Sequence, residues 1–382
     1  MNTIHNGTRA RVLLVAGTRP ECLKLASTVI ALRRRGDVDV LLMNSGQHVQ
    51  MVTRSFAQLG LEPDIEGAQI PAGSLSATLR ALRAQIRTAA IEHRASVLVA
   101  QGDTTTAYAT ALAARDLALP LAHVEAGLRT DHPLRPFPEE YFRRAIGKLA
   151  QLHFAPTSMA RDNLLGEGVA AERIHLVGNP AIDVLRDVLA QDPVAPPTLP
   201  ATAKLITLTL HRRENYGRGL DTVCAAVLEL LAREADVGVV CPVHPNPIVG
   251  ARIRRHLAGH PRIVLTEPLD YRPFIALLAR STLAITDSGG IQEEAPYLGT
   301  PILVVRENTE RPESLALGIA RLIPVERAAI VAATHDLLLS PRPHGIAFDA
   351  NAPYGDGHAG VAVAAAIANL HARDAGRPAC AA

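Results

Sequence analysis

Short runs of aliphatic and β-branched residues recur along the chain, and between them apolar positions return every three or four residues. In the first half this pattern predicts strands at 11–17, 38–46, 96–102, 119–125, 152–156 and 174–178, with helical periodicity over 74–93 and 158–167 among the intervening segments. A Pro- and Ala-rich stretch at 191–203 interrupts the pattern, which resumes with strands at 204–211, 237–244, 262–267, 283–289 and 301–306. Near-continuous apolar strands that alternate with helices imply parallel sheets covered on both faces. The predicted fold is therefore α/β, with two Rossmann-like, doubly wound parallel-sheet domains at 1–185 and 204–357 and a linker at 186–203. A final helix at about 358–382 is a candidate to pack back on the first domain. Such sheets bind ligands outside the carboxyl ends of their strands, so the active site is expected in an interdomain cleft.

Composition narrows the class. A length of 382 residues suits two domains, and 48% hydrophobic with 20% charged residues is that of a globular protein. With 39 basic and 37 acidic residues the net charge is only +2, which argues against a nucleic-acid partner. The basic run Arg33-Arg34-Arg35 ends a predicted helix just before Gly36, where it complements the helix dipole. Cys22, Cys224, Cys241 and Cys380 have no metal-ligand spacing, so no metal is expected and reduced thiols are. No apolar stretch reaches the roughly 18 residues of a membrane span, and the early apolar run is too short for a signal peptide. The expected location is the cytoplasm, with no membrane partner.

The unusual polar residues fall at strand ends. They are Gly17-Thr18-Arg19-Pro20-Glu21 with Lys24 a turn later, Gly102-Asp103-Thr104, His123-Val124-Glu125, His211-Arg212-Arg213-Glu214, His244-Pro245-Asn246 and Asp287-Ser288-Gly289-Gly290. Singly, Asp103 or Ser288 reads equally well as a helix N-cap and Glu21 as a first-turn dipole residue. Their common position points to one site. GxGxxG is absent after the first strand and there is no GxxxxGK[ST] loop, which disfavours NAD- and P-loop-based chemistry. What remains is a set of basic groups (Arg19, Lys24, His211, Arg212, Arg311), amides at Ser288-Gly289-Gly290 and carboxylates (Asp103, Glu125, Glu139, Glu294). Amides at a helix start bind phosphate, so a phosphorylated or nucleotide ligand is expected. Glu293 and Glu294 lie about 100° apart on that helix, so one can read a ribose diol while the other faces away or braces neighbouring backbone.

The motifs GTRPExxK (17–24), QGDTTT (101–106), HVEAGLRT (123–130), FPEE (137–140), HRREN (211–215), TDSGGIQEEAP (286–296), ERPE (310–313) and NAPYGDG (351–357) occur in this order. Through them the chain resembles the non-hydrolysing UDP-N-acetylglucosamine 2-epimerases from about residue 11 to 370. The resemblance implies a GT-B-like pair of domains, a homodimer, a UDP-sugar substrate and no redox cofactor. It implies interconversion of UDP-GlcNAc and UDP-ManNAc by elimination of UDP to a 2-acetamidoglucal and re-addition. That route suits a sugar whose C2 proton is not acidic, and it needs carboxylates at C2 and cations at the departing diphosphate. By resemblance Asp103, Glu125, Glu139 and His211 are catalytic. Arg19, Lys24, Arg212, His244, Phe274, Ser288, Gly289, Gly290, Glu294 and Arg311 are the expected substrate contacts, Phe274 at the uracil. Sequence assigns neither acid nor base among the carboxylates. Two departures stand out: Val49 replaces the Arg of the QHRxM motif, which puts an effector site in doubt, and Phe142 replaces the Asn after PEE. A modified UDP-2-acetamido sugar, such as a 2,3-diacetamido one, is an alternative substrate. A GT-B glycosyltransferase is the rival from another class.

Overall fold

A computed structural model describes residues 9–71, 73–130, 132–210 and 217–375. The chain divides into two compact units, residues 1–184 with 349–382, and residues 185–348. Residues 349–357, counted with the second domain in the sequence reading, thus belong to the first unit. Residues 186–189 are the last turn of the helix Pro180–Leu189 rather than linker.

The first unit holds seven strands: β1 (Arg11–Ala16), β2 (Asp39–Asn44), β3 (Ile65–Glu66), β4 (Val97–Gln101), β5 (Leu121–Val124), β6 (Leu152–Ala155) and β7 (Ile174–Leu176). They form one sheet in the order β3-β2-β1-β4-β5-β6-β7, and every pairing is parallel. The second unit has β8 (Lys204–Thr209), β9 (Val237–Pro242), β10 (Ile263–Thr266), β11 (Leu283–Thr286), β12 (Ile302–Val305) and β13 (Ala320–Ile323). Their order is β10-β9-β8-β11-β12-β13, again all parallel. In both sheets the chain reverses its direction of travel between the first strand and the fourth. Those switch points, β1/β4 and β8/β11, are where such folds open a crevice.

The central strands carry fully buried apolar runs because helices cover both faces. On one side of the first sheet, Val12, Leu14 and Val99 pack with Leu25, Val29 and Leu32 of the helix Arg19–Arg35. That helix ends at Gly36 in a left-handed cap, with Arg33, Arg34 and Arg35 in its last turn. The final helix, Ala359–Ala375, lays Val363, Ala364 and Ile367 into the same apolar cluster. Gly360 allows this close approach, since a Cβ there would lie 2.5 Å from the Ser27 backbone. Asp183 accepts the Ala359 and Gly360 amides at 3.0 and 2.7 Å, which caps that helix.

Candidate active site

Three turns at the carboxyl edge of the first sheet carry the expected catalytic carboxylates. Asp103 follows β4, Glu125 follows β5, and Glu139 opens the helix Glu139–Leu149 that leads to β6. Asp103 faces Arg143, whose guanidinium is 2.5 Å from its Oδ2. Arg143 is itself buried and pairs with Glu140 at 3.1 Å. The helix that presents Glu139 therefore also holds Asp103 in place.

Glu125 is buried and its backbone sits in the left-handed region at φ 65°, a conformation unusual outside glycine. Strain of this sort, on the order of 1–3 kcal/mol, persists only where neighbours over-determine it. Here Lys24 donates to one Glu125 oxygen and the Gln101 amide to the other. Lys24, expected among the substrate contacts, is thus ion-paired to an expected catalytic group. His123, two residues earlier, donates through Nε2 to the Gly102 carbonyl at 2.8 Å and so fixes the turn that carries Asp103. Desolvation pushes its pKa down to about 4, which keeps the ring neutral near pH 7.

The two adjacent glutamates of FPEE have separate tasks. Glu140 is fully buried and accepts from Arg143 and Arg144. Glu139 is half-buried and has no hydrogen-bond partner among the described residues. Its carboxylate is open to a ligand. Phe142, in place of Asn, is buried and stacks on Tyr108 with ring centroids 4.8 Å apart.

In the second unit the turn after β11 opens the helix Gly289–Leu298, with Ser288 at the N-cap. Ser288 makes no side-chain cap, so the first amides of that helix are not closed by it. Arg311 lies directly beneath the turn: a Cβ on Gly289 would meet its Nη1 at 2.5 Å. Its Nε donates to Glu293 at 2.6 Å and its Nη1 lies 2.6 Å from Glu310, which also pairs with the buried Arg306. The positive charge behind the turn is therefore held in a buried network rather than displayed on the surface. Glu294 is buried too and accepts the Tyr271 hydroxyl at 2.8 Å. Phe274, half-buried, packs against the apolar cluster to which Ile291 and Ala295 of the same helix belong. After β9, His244 is half-buried, its Nδ1 accepts the Asn246 amide at 3.1 Å, and desolvation lowers its pKa. Arg19 is half-buried at the start of its helix. His211 and Arg212 lie outside the described residues.

Sequence reasoning missed Gln101, Arg143, Tyr271 and Glu310, each of which contacts an expected site residue, and Glu140, which acts through Arg143. Gln101 and Glu140 do stand inside motifs, beside residues that were singled out. The pairings of Gln101 with Glu125, Arg143 with Asp103 and Tyr271 with Glu294 are long-range and leave no local signal, whereas those of Glu140 and Glu310 lie within one helical turn in sequence.

Two parallel sheets of the same strand order, each with its polar side chains at the carboxyl ends of its strands, define a two-unit Rossmann-type protein of the GT-B kind. A profile for the family described as UDP-N-acetylglucosamine 2-epimerase matches residues 30–368. A UDP-N-acetylglucosamine 2-epimerase of Salmonella typhimurium is 41% identical over 359 residues, covering 91% of this chain and 95% of the relative. One from Bacillus subtilis is 38% identical over 92% of this chain and 93% of its own length. Among solved structures, a UDP co-structure of MnaA from S. aureus matches with a TM-score of 0.89 at 32% identity, covering 97% of this chain and 99% of that one. A UDP-GlcNAc 2-epimerase from Neisseria meningitidis bound to UDP-GlcNAc matches with a TM-score of 0.85 at 31% identity, over 94% and 100% of the two chains. The chain belongs to the UDP-N-acetylglucosamine 2-epimerase family.

Proposed function

We propose that this protein interconverts UDP-GlcNAc and UDP-ManNAc as a non-hydrolysing epimerase. The observation that carries the reading is the set of carboxylates at one sheet edge, Asp103, Glu125 and Glu139, in the motifs of the family. In the forward direction a carboxylate takes the C2 proton as the C1–O bond to UDP breaks, leaving 2-acetamidoglucal. UDP then adds back at C1 through its terminal phosphate oxygen, and a carboxylic acid returns a proton to the opposite face of C2. No water is consumed and no net redox change occurs.

Glu139 suits direct proton transfer because no described side chain engages it. Asp103 and Glu125 are each held by a cation, which fixes their direction. The Gly289 and Gly290 amides with the Ser288 hydroxyl are the proposed diphosphate cradle, since the Ser288 amide donates to Thr286, with Arg311 behind it and Glu294 the ribose contact. His211 and Arg212 are proposed at the leaving phosphate, Arg19, Lys24 and His244 among the polar contacts and Phe274 at the uracil. The resemblance also carries a homodimer, which light scattering of the purified protein would check, and the proposed location is the cytoplasm. No helix among the described residues is long and apolar enough to cross a membrane.

The test is incubation with UDP-GlcNAc alone in D₂O. Deuterium enters C2 of both UDP-sugars, and UDP with 2-acetamidoglucal accumulates slowly. Full turnover with the C2 proton retained would overturn the elimination route, and stoichiometric release of UDP with free sugar would show a hydrolase. Because Val49 supplies no cation, UDP-ManNAc alone is turned over without a lag; a lag relieved by traces of UDP-GlcNAc would show a surviving effector site.

A further inference from the structure

The turns that flank the β1/β4 switch point are joined through one buried carboxyl group. Glu21, in the first turn of the helix Arg19–Arg35, is 0% exposed. Its Oε2 accepts the Gly17 amide at 3.0 Å and the Thr18 hydroxyl at 2.8 Å. Its Oε1 accepts the Thr104 hydroxyl at 2.6 Å. Gly17 and Thr18 follow β1, whereas Thr104 stands next to Asp103 after β4.

Helix capping accounts for only half of this. A Glu three residues after a Thr N-cap has the spacing of a capping box, and such a Glu reaches back to the helix start. Here, however, the Thr18 side chain makes no cap bond and donates to Glu21 instead. Nor does capping call for a bond to Thr104, which is 83 residues away in sequence. The Thr104 hydroxyl already accepts the Ala107 amide at 3.0 Å as N-cap of its own helix, so its one proton is directed to Glu21.

The partners of Glu21 are all neutral donors, with no cation among them. Burying a carboxyl group on those terms is unfavourable, and desolvation pushes its pKa up to about 7. A helix start in water needs no such arrangement, since a Ser or Asn at the N-cap would close it. The bridge, by contrast, needs a side chain with two acceptor oxygens about one turn into the helix. A carboxylate is the group that meets that description.

We propose that Glu21 is a positioning residue, a clasp that fixes the turn carrying Asp103 to the turn carrying Arg19. The clasp itself is a statement about structure; its effect on turnover rests on the function proposed above. Misplacing a proton-transfer group lowers turnover more than it lowers binding.

The experiment uses the full chain with Thr104→Val, which is isosteric and leaves Glu21 in place, then Glu21→Gln, the double variant and Thr104→Ser. Backbone amide exchange by mass spectrometry reads the clasp without any substrate. In Thr104→Val, exchange across residues 17–22 speeds up about tenfold although the change lies in another turn, and Thr104→Ser restores it. In kinetics with UDP-GlcNAc, Glu21→Gln and Thr104→Val each lower kcat about tenfold with KM within about twofold, and the double variant is no worse than either. Unchanged exchange at 17–22 in Thr104→Val, or losses that multiply in the double variant, would overturn the clasp. Absence of C2 exchange in the unmodified protein would instead defeat the proposed function, and amide exchange would still decide the clasp.

Discussion

The two switch points share a strand order and differ in electrical character. At β1/β4 the edge of the sheet is lined by acids: Glu21, Asp103 and the neighbouring Glu125, held respectively by hydroxyls and an amide, by Arg143, and by Lys24 with Gln101. At β8/β11 the strands end in a hydroxyl pair, Thr209 with Thr286 at 2.8 Å, and the Ser288 amide is turned back on Thr286 at 3.0 Å. A buried acid, Asp287, stands between Thr286 and Ser288; beyond it come a glycine-rich helix start and a buried guanidinium, while Glu293 and Glu294 lie a turn deeper in the helix. Under the proposed function, one edge exchanges protons and the other receives an anion. The same topology therefore serves two chemistries according to which charge is brought to the strand ends.

The sharpest way to break that comparison is to neutralise the acids of the first unit. Asp103→Asn, Glu125→Gln and Glu139→Gln are each expected to lower turnover about a hundredfold or more, with UDP affinity little changed by calorimetry. Near-normal turnover in two of the three would remove the proton-transfer role from this edge. In the second unit the effect should fall on binding. Glu294→Ala weakens UDP by about 1–3 kcal/mol, the scale of a lost hydrogen bond to a charged group, and 2′-deoxy-UDP far less. A structure with UDP in which Glu293 rather than Glu294 meets the ribose would reverse that assignment.

Next in size is a test of the helix start. Gly289→Ala drives a Cβ into the fixed Arg311 guanidinium and should destabilise the protein by about 1–3 kcal/mol in denaturant titration. Gly290→Ala has its nearest neighbour at 4.0 Å and should leave the denaturant midpoint in place. Equal effects would mean that the turn does not rest on Arg311.

The smallest effect concerns acid. His123 and His153 are both buried in the first unit with pKa values pushed down to about 4 by desolvation. Between pH 6.5 and 4 the unfolded chain binds the protons that these rings refuse, so stability falls as pH falls through that window. Glu21 acts in the opposite sense: with its pKa raised to about 7, its contribution grows as pH drops from 7 toward 4.5 and offsets part of the loss. The net expectation is a loss on the order of 1–2 kcal/mol from pH 7 to 5, seen first as faster amide exchange in the first unit. Faster exchange in the second unit alone would contradict it.

Much of this architecture is written in local pattern. The buried central strands announce themselves as apolar runs, and helix Leu75–Glu92 lies within the periodic stretch 74–93. Two strands escaped that reading. Strand β3 has two residues, and β13 has four with Arg321 exposed and Leu322 half-buried at its centre, both at sheet edges. In the site, strand-end residues were visible because turns interrupt apolar runs. The division of labour within Glu139-Glu140 and Glu293-Glu294 was less so. Identical side chains one residue apart differ by which helix face meets an arginine, and Arg143 and Arg311 reach them only in the folded chain.

The docking of helix Ala359–Ala375 beside Arg19–Arg35 has a consequence for synthesis. The second unit is contiguous, so all its residues have left the ribosome before the first unit has received its closing helix. Until then Cys22, Leu25 and Val29 lack the Val363, Ala364 and Ile367 side chains that share their cluster. The segment emitted earliest is thus finished last, and during that interval its first helix presents an apolar flank that a chaperone could hold.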